Sequence, residues 1–192
     1  MLSMPESGLI AFYRNEGVDH RRRSLRDVRG FDLDHLEHTH DFIQWLFPLP
    51  EPSSANAFSP LLSREDMNRF RSDPSMQAEL LRSFTLMLRF FGLALMKPAT
   101  LGTLTVIRAD DFAERCAVWL YPGSHNFLRI TRILRSLTLL GCPAHAAALL
   151  QCLDDVYSSN RDAVGLRTMH YWRSAVVLGA NGPTQFSDDA LG

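Results

Sequence analysis

Cysteine is scarce, lysine is nearly absent and no apolar run is long enough to cross a bilayer, and each shortage removes a class of protein. The three cysteines, Cys116, Cys142 and Cys152, are odd in number and show no CxxC spacing. That argues against a disulfide framework and a zinc site, and favours a reducing compartment. Lys97 is the only lysine, so the other basic residues are arginines, a usage that points to a bacterial source. The most apolar segment, Phe84 to Met96, is interrupted by Arg89 and falls well short of the roughly 20 residues of a membrane span. The N-terminus carries Glu6 and lacks a basic start followed by an apolar stretch, so neither secretion nor membrane insertion is expected and a cytoplasmic location follows. The net charge of −1 supplies no whole-molecule attraction to nucleic acid or anionic lipid. No GxSxG, phosphate loop, dinucleotide fingerprint, HExxH or HxxEH pattern occurs, so the reading is noncatalytic, with no cofactor.

What remains is an ordinary core-forming chain of helical period. At 46% hydrophobic and 21% charged it has the composition of a globular domain, and 192 residues suffice for one. Pro48, Pro50, Pro52 and Pro60 rule out a continuous helix there and predict an extended, surface-hugging connection. A second irregular stretch is expected from about Gly92 to Ala109, with a weak strand candidate near Leu104 to Ile107.

Elsewhere, spacings of three and four predict helices with recognisable ends. Leu33, Leu36, His40, Ile43 and Phe47 form one stripe, with Asp32 as N-cap and Pro48 as stop. Ser63 followed by Asp66 opens a shorter helix, and Asp73–Pro74 opens a central one that ends near Gly92. Asp110 or Asp111 starts another, reaching Trp119. Further helices run from about Asn126 to Leu140, from Pro143, and from Arg161 to Leu178. The fold class is therefore all-α, a single-domain orthogonal or irregular bundle of about six to eight helices over residues 9–178, with a loose tail at 179–192. No sequence feature specifies an oligomeric state.

The densest chemistry lies between Asp34 and Trp45. On a continuous helix, Asp34, Glu37, His38 and Asp41 share a face while His40 falls in the apolar stripe. Two readings follow: a metal-dependent enzyme using Asp34, His38 and Asp41, or a buried, hydrogen-bonded His40 with structural neighbours. Arg129, Arg132 and Arg135 sit opposite the apolar arc of their helix, yet Leu128 and Leu139 share that side, so carboxylate partners are expected, Glu37 and Asp41 first among them. The alternative is nucleic-acid contact, through these arginines or through the run Arg21 to Arg23, which otherwise reads as solvated.

Two strings, LEHTHDFIQWLFPLPEPS at Leu36 to Ser53 and SHNFLRITRILRSLTLLG at Ser124 to Gly141, resemble the hallmark segments of the opioid growth factor receptor conserved region. LLSREDMNRF and FTLMLRFFGLAL follow the same family in order, and the likeness covers about Phe12 to Leu178. The resemblance implies a helical domain. Its vertebrate members are named for binding the pentapeptide Met-enkephalin, so a peptide or protein partner is implied, and no catalytic residue carries over. This chain is expected to hold the core domain without the C-terminal extension of those members. The two strings are expected to pack together, with a ligand groove beside His38, His40, Gln44, Trp45, His125, Asn126 and Arg129; a purely structural role for these residues is the alternative.

Overall fold

The computed structural model describes residues 7–96 and 103–178. The tail expected at 179–192 lies outside the described residues. Those described fall into two compact units, the boundary lying at residue 80 within a long helix. The architecture is mainly α-helical, as the periodicity predicts: ten helices and one two-stranded sheet among the described residues.

In the first unit, short helices are started by side-chain caps. Ser7 opens α1 (Gly8–Tyr13), and Ser24 with Asp27 forms a capping box on α2 (Leu25–Arg29). Asp32 caps α3 (Leu33–His38) through the His35 N–H at 2.7 Å. Ser63 and Asp66 form a second capping box on α5 (Arg64–Ser72). Asp66 is nearly fully buried because its other oxygen accepts from the Ser7 hydroxyl at 2.6 Å, so one carboxylate orders the starts of α1 and α5 together. The core gathers Phe12, Tyr13, Phe42, Phe47 and Phe70. Tyr13 donates its hydroxyl to the Leu46 carbonyl and meets Phe70 edge-on at 4.6 Å.

The continuous helix expected from Leu33 to Phe47 is two pieces. α3 ends at His38, Thr39 is extended (φ −100°, ψ 124°), and α4 (Ile43–Leu46) resumes after a bend. The cause is tertiary. Asp41 is drawn toward arginines of residues 20–23, which helical continuation would forbid. The Pro48 stop holds, but the proline-rich stretch is not simply an extended surface connection: Pro48 and Leu49 are buried, Leu49 bridges Leu61, and the chain turns between Ser53 and Phe58.

The second unit contains the rest of α6 (Pro74–Phe90), then α7 (Phe112–Trp119), α8 (Asn126–Leu139), α9 (Pro143–Ser159) and α10 (Arg161–Leu178), which kinks at Gly165 (φ 76°). The stretch read as irregular holds an antiparallel hairpin, β1 (Leu93–Met96) paired with β2 (Thr105–Arg108) in the register Leu93↔Arg108 to Met96↔Thr105. Four-residue strands give too little alternation to read from sequence. Gly92 makes the passage from α6 to β1 possible. Its φ of +71° suits glycine, and a Cβ there would stand 2.8 Å from Arg115 Cβ and 2.9 Å from Phe112 Cα. Arg115 and the Trp119 indole donate to the Phe90 and Phe91 carbonyls that α6 leaves open at its end.

α8 is buried on almost every side, from Phe127 through Leu139, and Trp172 of α10 donates to the Phe127 carbonyl at 3.1 Å while meeting its ring edge-on. At its C-terminus the Cys142 N–H bonds the Leu137 carbonyl across Gly141 (φ +92°), a Schellman closure, and Pro143 opens α9 at once.

Replacing the buried Asp66 removes three accepted hydrogen bonds and leaves the Ser7 and Ser63 donors without their partner. Asp66→Ala is expected to lower stability by about 2 kcal/mol in urea unfolding; a loss under half that size would mean that water replaces the carboxylate.

Candidate functional site

The first unit carries an open cleft of about 520 Å³ lined by His20, Arg21, Asp41, Ala55, Asn56, Ala57 and Phe58. Three irregular segments meet there: the turn at 19–23, the bend after α3 and the loop that follows the prolines. The turn is built on Asp19, whose buried carboxylate accepts the Arg21 and Arg23 N–H groups, each at 2.9 Å, and the Arg23 side chain at 2.7 Å. Asp41 ties that turn to the bend: one oxygen takes Arg23 at 2.8 Å, the other takes Arg21 Nε at 2.9 Å and faces His20 Nε2 at 3.3 Å.

Burial works against ionisation of Asp41, but the hydrogen bond and charge of Arg23, the hydrogen bond of Arg21 and the nearness of His20 outweigh it and hold the carboxyl below its ordinary value. Burial likewise opposes the charge on Arg23, yet Asp41 and Asp19 more than offset it and raise its pKa.

Asn56 fixes the third wall. Itself buried, it donates to the Asp41 carbonyl at 3.3 Å and accepts the Phe58 N–H at 2.9 Å. Phe58 is consequently held out from the loop, 71% exposed, with its ring stacked on the His20 imidazole at 5.6 Å and 12° between planes. The exposed ring stands at the rim of the cleft.

The residues singled out from sequence are placed differently. His40 is exposed at the bend, not buried in an apolar stripe, because the helix that would have buried it has ended. His38 is exposed too, its Nδ1 at 2.9 Å from the Asp34 carbonyl oxygen and 3.6 Å from the Asp34 carboxylate. Asp41 lies beyond that helix with its oxygens taken by cations, so the face that grouped Asp34, His38 and Asp41 does not exist. Among the described residues no group of three or more metal-ligating side chains is assembled.

Gln44 and Trp45 are buried on α4, with the Trp45 ring 5.1 Å from Phe12. Their Oε1 and Nε1 atoms have no hydrogen-bond partner among the described residues, a need that an ordered water or a ligand atom would meet. In the second unit, His125 is half-buried at the start of α8, and Asn126 is fully buried and accepts Arg129 Nη1 at 3.1 Å. Arg129 is buried and lies over the Phe90 ring at 5.9 Å; burial of Arg129 and Arg135 agrees with reading that side of α8 as unsolvated.

Sequence reasoning missed Asp19, His20, Asn56 and Phe58, and took Arg21 to Arg23 as solvated. The available signals were an aspartate two residues before an arginine run and a lone phenylalanine in SSANAFSP.

The chain matches the family described as the opioid growth factor receptor (OGFr) conserved region over residues 13–180. It is 40% identical over 177 residues to the opioid growth factor receptor of Homo sapiens, covering 87% of this chain and 25% of that protein. It is 42% identical over 148 residues to that of Rattus norvegicus, covering 74% and 24%. It is also 37% identical over 148 residues to opioid growth factor receptor-like protein 1 of Mus musculus, covering 74% and 30%. The chain thus spans between a quarter and a third of the length of these relatives, or slightly less. No solved structure matches.

A depressed carboxyl pKa contributes stability that is fully present above the unfolded value, near 3.8, and is lost as pH falls through the folded value. Asp41→Asn is expected to cost about 2 kcal/mol in urea unfolding at neutral pH, and the gap to the parent protein should close under strongly acidic conditions. A gap that stays constant with pH would show that the carboxylate charge is not what joins turn and bend.

Proposed function

This chain belongs to the opioid growth factor receptor conserved-region family, and from that premise we propose that it is a noncatalytic binding module that takes a peptide or a segment of a partner protein in the cleft beside Phe58. The observation that carries the reading is the outward-held Phe58 ring, stacked on His20 at the edge of an open, partly apolar cleft. Exposed aromatic rings braced from behind, with hydrogen-bonding groups beside them, are the usual anchors of recognition surfaces. The name of the vertebrate relatives, receptor, supports a peptide or protein partner; because the chain spans so little of their length, what those whole proteins do enters only as part of this proposal.

Of the ligand contacts read from sequence, His38, His40, Gln44 and Trp45 belong to the unit that carries the cleft and stay part of the proposal; His125, Asn126 and Arg129 belong to the second unit and stand as a separate one. Those on α3 and the bend are the accessible ones. Nucleic acid is the weaker partner, since Arg21 and Arg23 share their charge with Asp41 and Asp19. A bacterial, cytoplasmic setting belongs to the same proposal. It is supported by the arginine usage and by three free cysteines, of which Cys142 and Cys152 have thiols pushed by burial up to about 11 and so stay protonated. Among the described residues no helix is long and apolar enough to cross a membrane.

Selection of a random displayed-peptide library on the chain should enrich a binder whose affinity falls by about tenfold in Phe58→Ala, with no loss of thermal stability because that ring is exposed. Failure to enrich any peptide, or equal affinity of the variant, would overturn the reading.

A further inference from the structure

We infer that the outward face of α10 is a docking surface for an anionic phospholipid bilayer, with Leu166 entering the headgroup boundary between Arg161 and Arg167. The surface lies in the second unit and owes nothing to the cleft, so the two stand or fall separately.

The net charge of −1 conceals a division. Residues 7–80 hold nine arginines and twelve carboxylates, whereas residues 81–178 hold ten arginines and one lysine to six carboxylates. The second unit is therefore the basic one. Part of its surplus is committed: Arg108 and Arg115 donate to backbone carbonyls, Arg129 and Arg135 are buried, and Arg173 pairs with Asp154. Arg161 and Arg167 are uncommitted. Both are exposed, and neither is hydrogen-bonded or ion-paired among the described residues. Each guanidinium lies over a tyrosine ring instead, Arg161 over Tyr157 at 5.8 Å and Arg167 over Tyr171 at 5.9 Å. The stacks hold both groups in place and leave their N–H edges open to phosphate oxygens. Asp162, next to Arg161, is the exposed carboxylate that offsets part of this charge.

The helix supplies the apolar part. α10 buries Val164, Met169, Trp172 and Ala175 and packs on α8 and α9. Its opposite side carries Leu166, His170, Arg173 and Val177, whose spacings of four, three and four form one stripe. Leu166 is 80% exposed and Val177 61%. Gly165 makes the kink at φ 76°, with nothing within 4 Å of where a Cβ would stand, and Leu166 follows at this open corner.

That combination separates a bilayer from a nucleic acid. Single strands gain most where bases stack on open aromatic rings, and here the arginines themselves lie over Tyr157 and Tyr171. Leucine and valine gain nothing from a phosphodiester backbone. At a bilayer the same residues divide by depth: guanidinium groups meet lipid phosphates, tyrosines sit at the headgroup level, and Leu166 reaches the acyl boundary.

The test is sedimentation of the 192-residue chain with vesicles of phosphatidylcholine alone and of phosphatidylcholine with about 30% phosphatidylserine. The chain is expected to bind the anionic vesicles about tenfold more strongly and to leave them at high salt. Arg161→Gln together with Arg167→Gln should weaken binding about thirtyfold, and Leu166→Gln about tenfold. The three side chains are exposed, so thermal stability should not change. Leu166→Trp reads depth: lipids brominated in the acyl chain should quench it, while the buried Trp45, Trp119 and Trp172 keep their emission.

Arg161→Lys with Arg167→Lys keeps the charge and should keep the preference for anionic vesicles; it serves in place of the glutamine pair should that one lose thermal stability. Equal binding to both vesicles, or binding to neither, overturns the inference. So does anionic binding that survives the arginine and leucine substitutions. Loss of binding in Phe58→Ala alone overturns it by moving the bilayer to the first unit. Binding of a single-stranded oligonucleotide that is indifferent to Leu166→Gln, with vesicles unable to compete, overturns it in favour of nucleic acid. None of these outcomes touches the peptide reading of the cleft, which the displayed-peptide selection decides.

Discussion

A carboxylate placed within reach of two arginines and a histidine decides the local course of the chain. Asp41 could have continued a helix whose apolar spacing runs on to Phe47, and a continuous helix would have left its charge in solvent. Hydrogen bonds to arginine are worth more than the few helical bonds given up across the bend. The helix therefore stops, residues 19–23 are gathered against it, and the Asp41 carbonyl, freed from helical duty, accepts Asn56. Asn56 then orients the Phe58 loop. The cleft is the by-product of this clamp: remove it and turn, bend and loop lose their common point.

Features governed by neighbours in sequence were legible. Ser63 with Asp66, Asp32, Asp73 before Pro74, Gly141 and Pro143 all mark helix ends where the structure has them, because a cap acts within four residues. Features governed by distant partners were not. The break at Thr39 follows from arginines some twenty residues upstream, and the 93–108 hairpin from short strands that alternate too briefly to register. The buried side of α8 lies between these cases, since Leu128 and Leu139 framing the arginines hinted that Arg129 and Arg135 are inside without naming what meets them. The cleft was invisible for the same reason as the break. Its residues come from three loops, and no periodicity links them.

The strings that carry the family likeness serve mainly the interior, although Asp41 of the first also lines the cleft. Gln44, Trp45 and Phe47 in the first, and Asn126, Ile130, Ile133 and Leu137 in the second, are buried. They are held inside by packing, and Asn126 also by its bond to Arg129, so similarity there speaks to scaffold. Phe58 and Arg21 owe almost nothing to packing, and their chemistry is correspondingly free to be about something else.

The turn between α8 and α9 bears on how the second unit assembles. Only Leu140, Gly141 and Cys142 separate the two helices, so the entropy lost in bringing them side by side is small. Folds rich in contacts between segments so near in sequence are the fast-folding ones. The α8–α9 hairpin is thus the pairing in that unit that costs the chain little entropy, and the left-handed glycine between the helices sets its geometry.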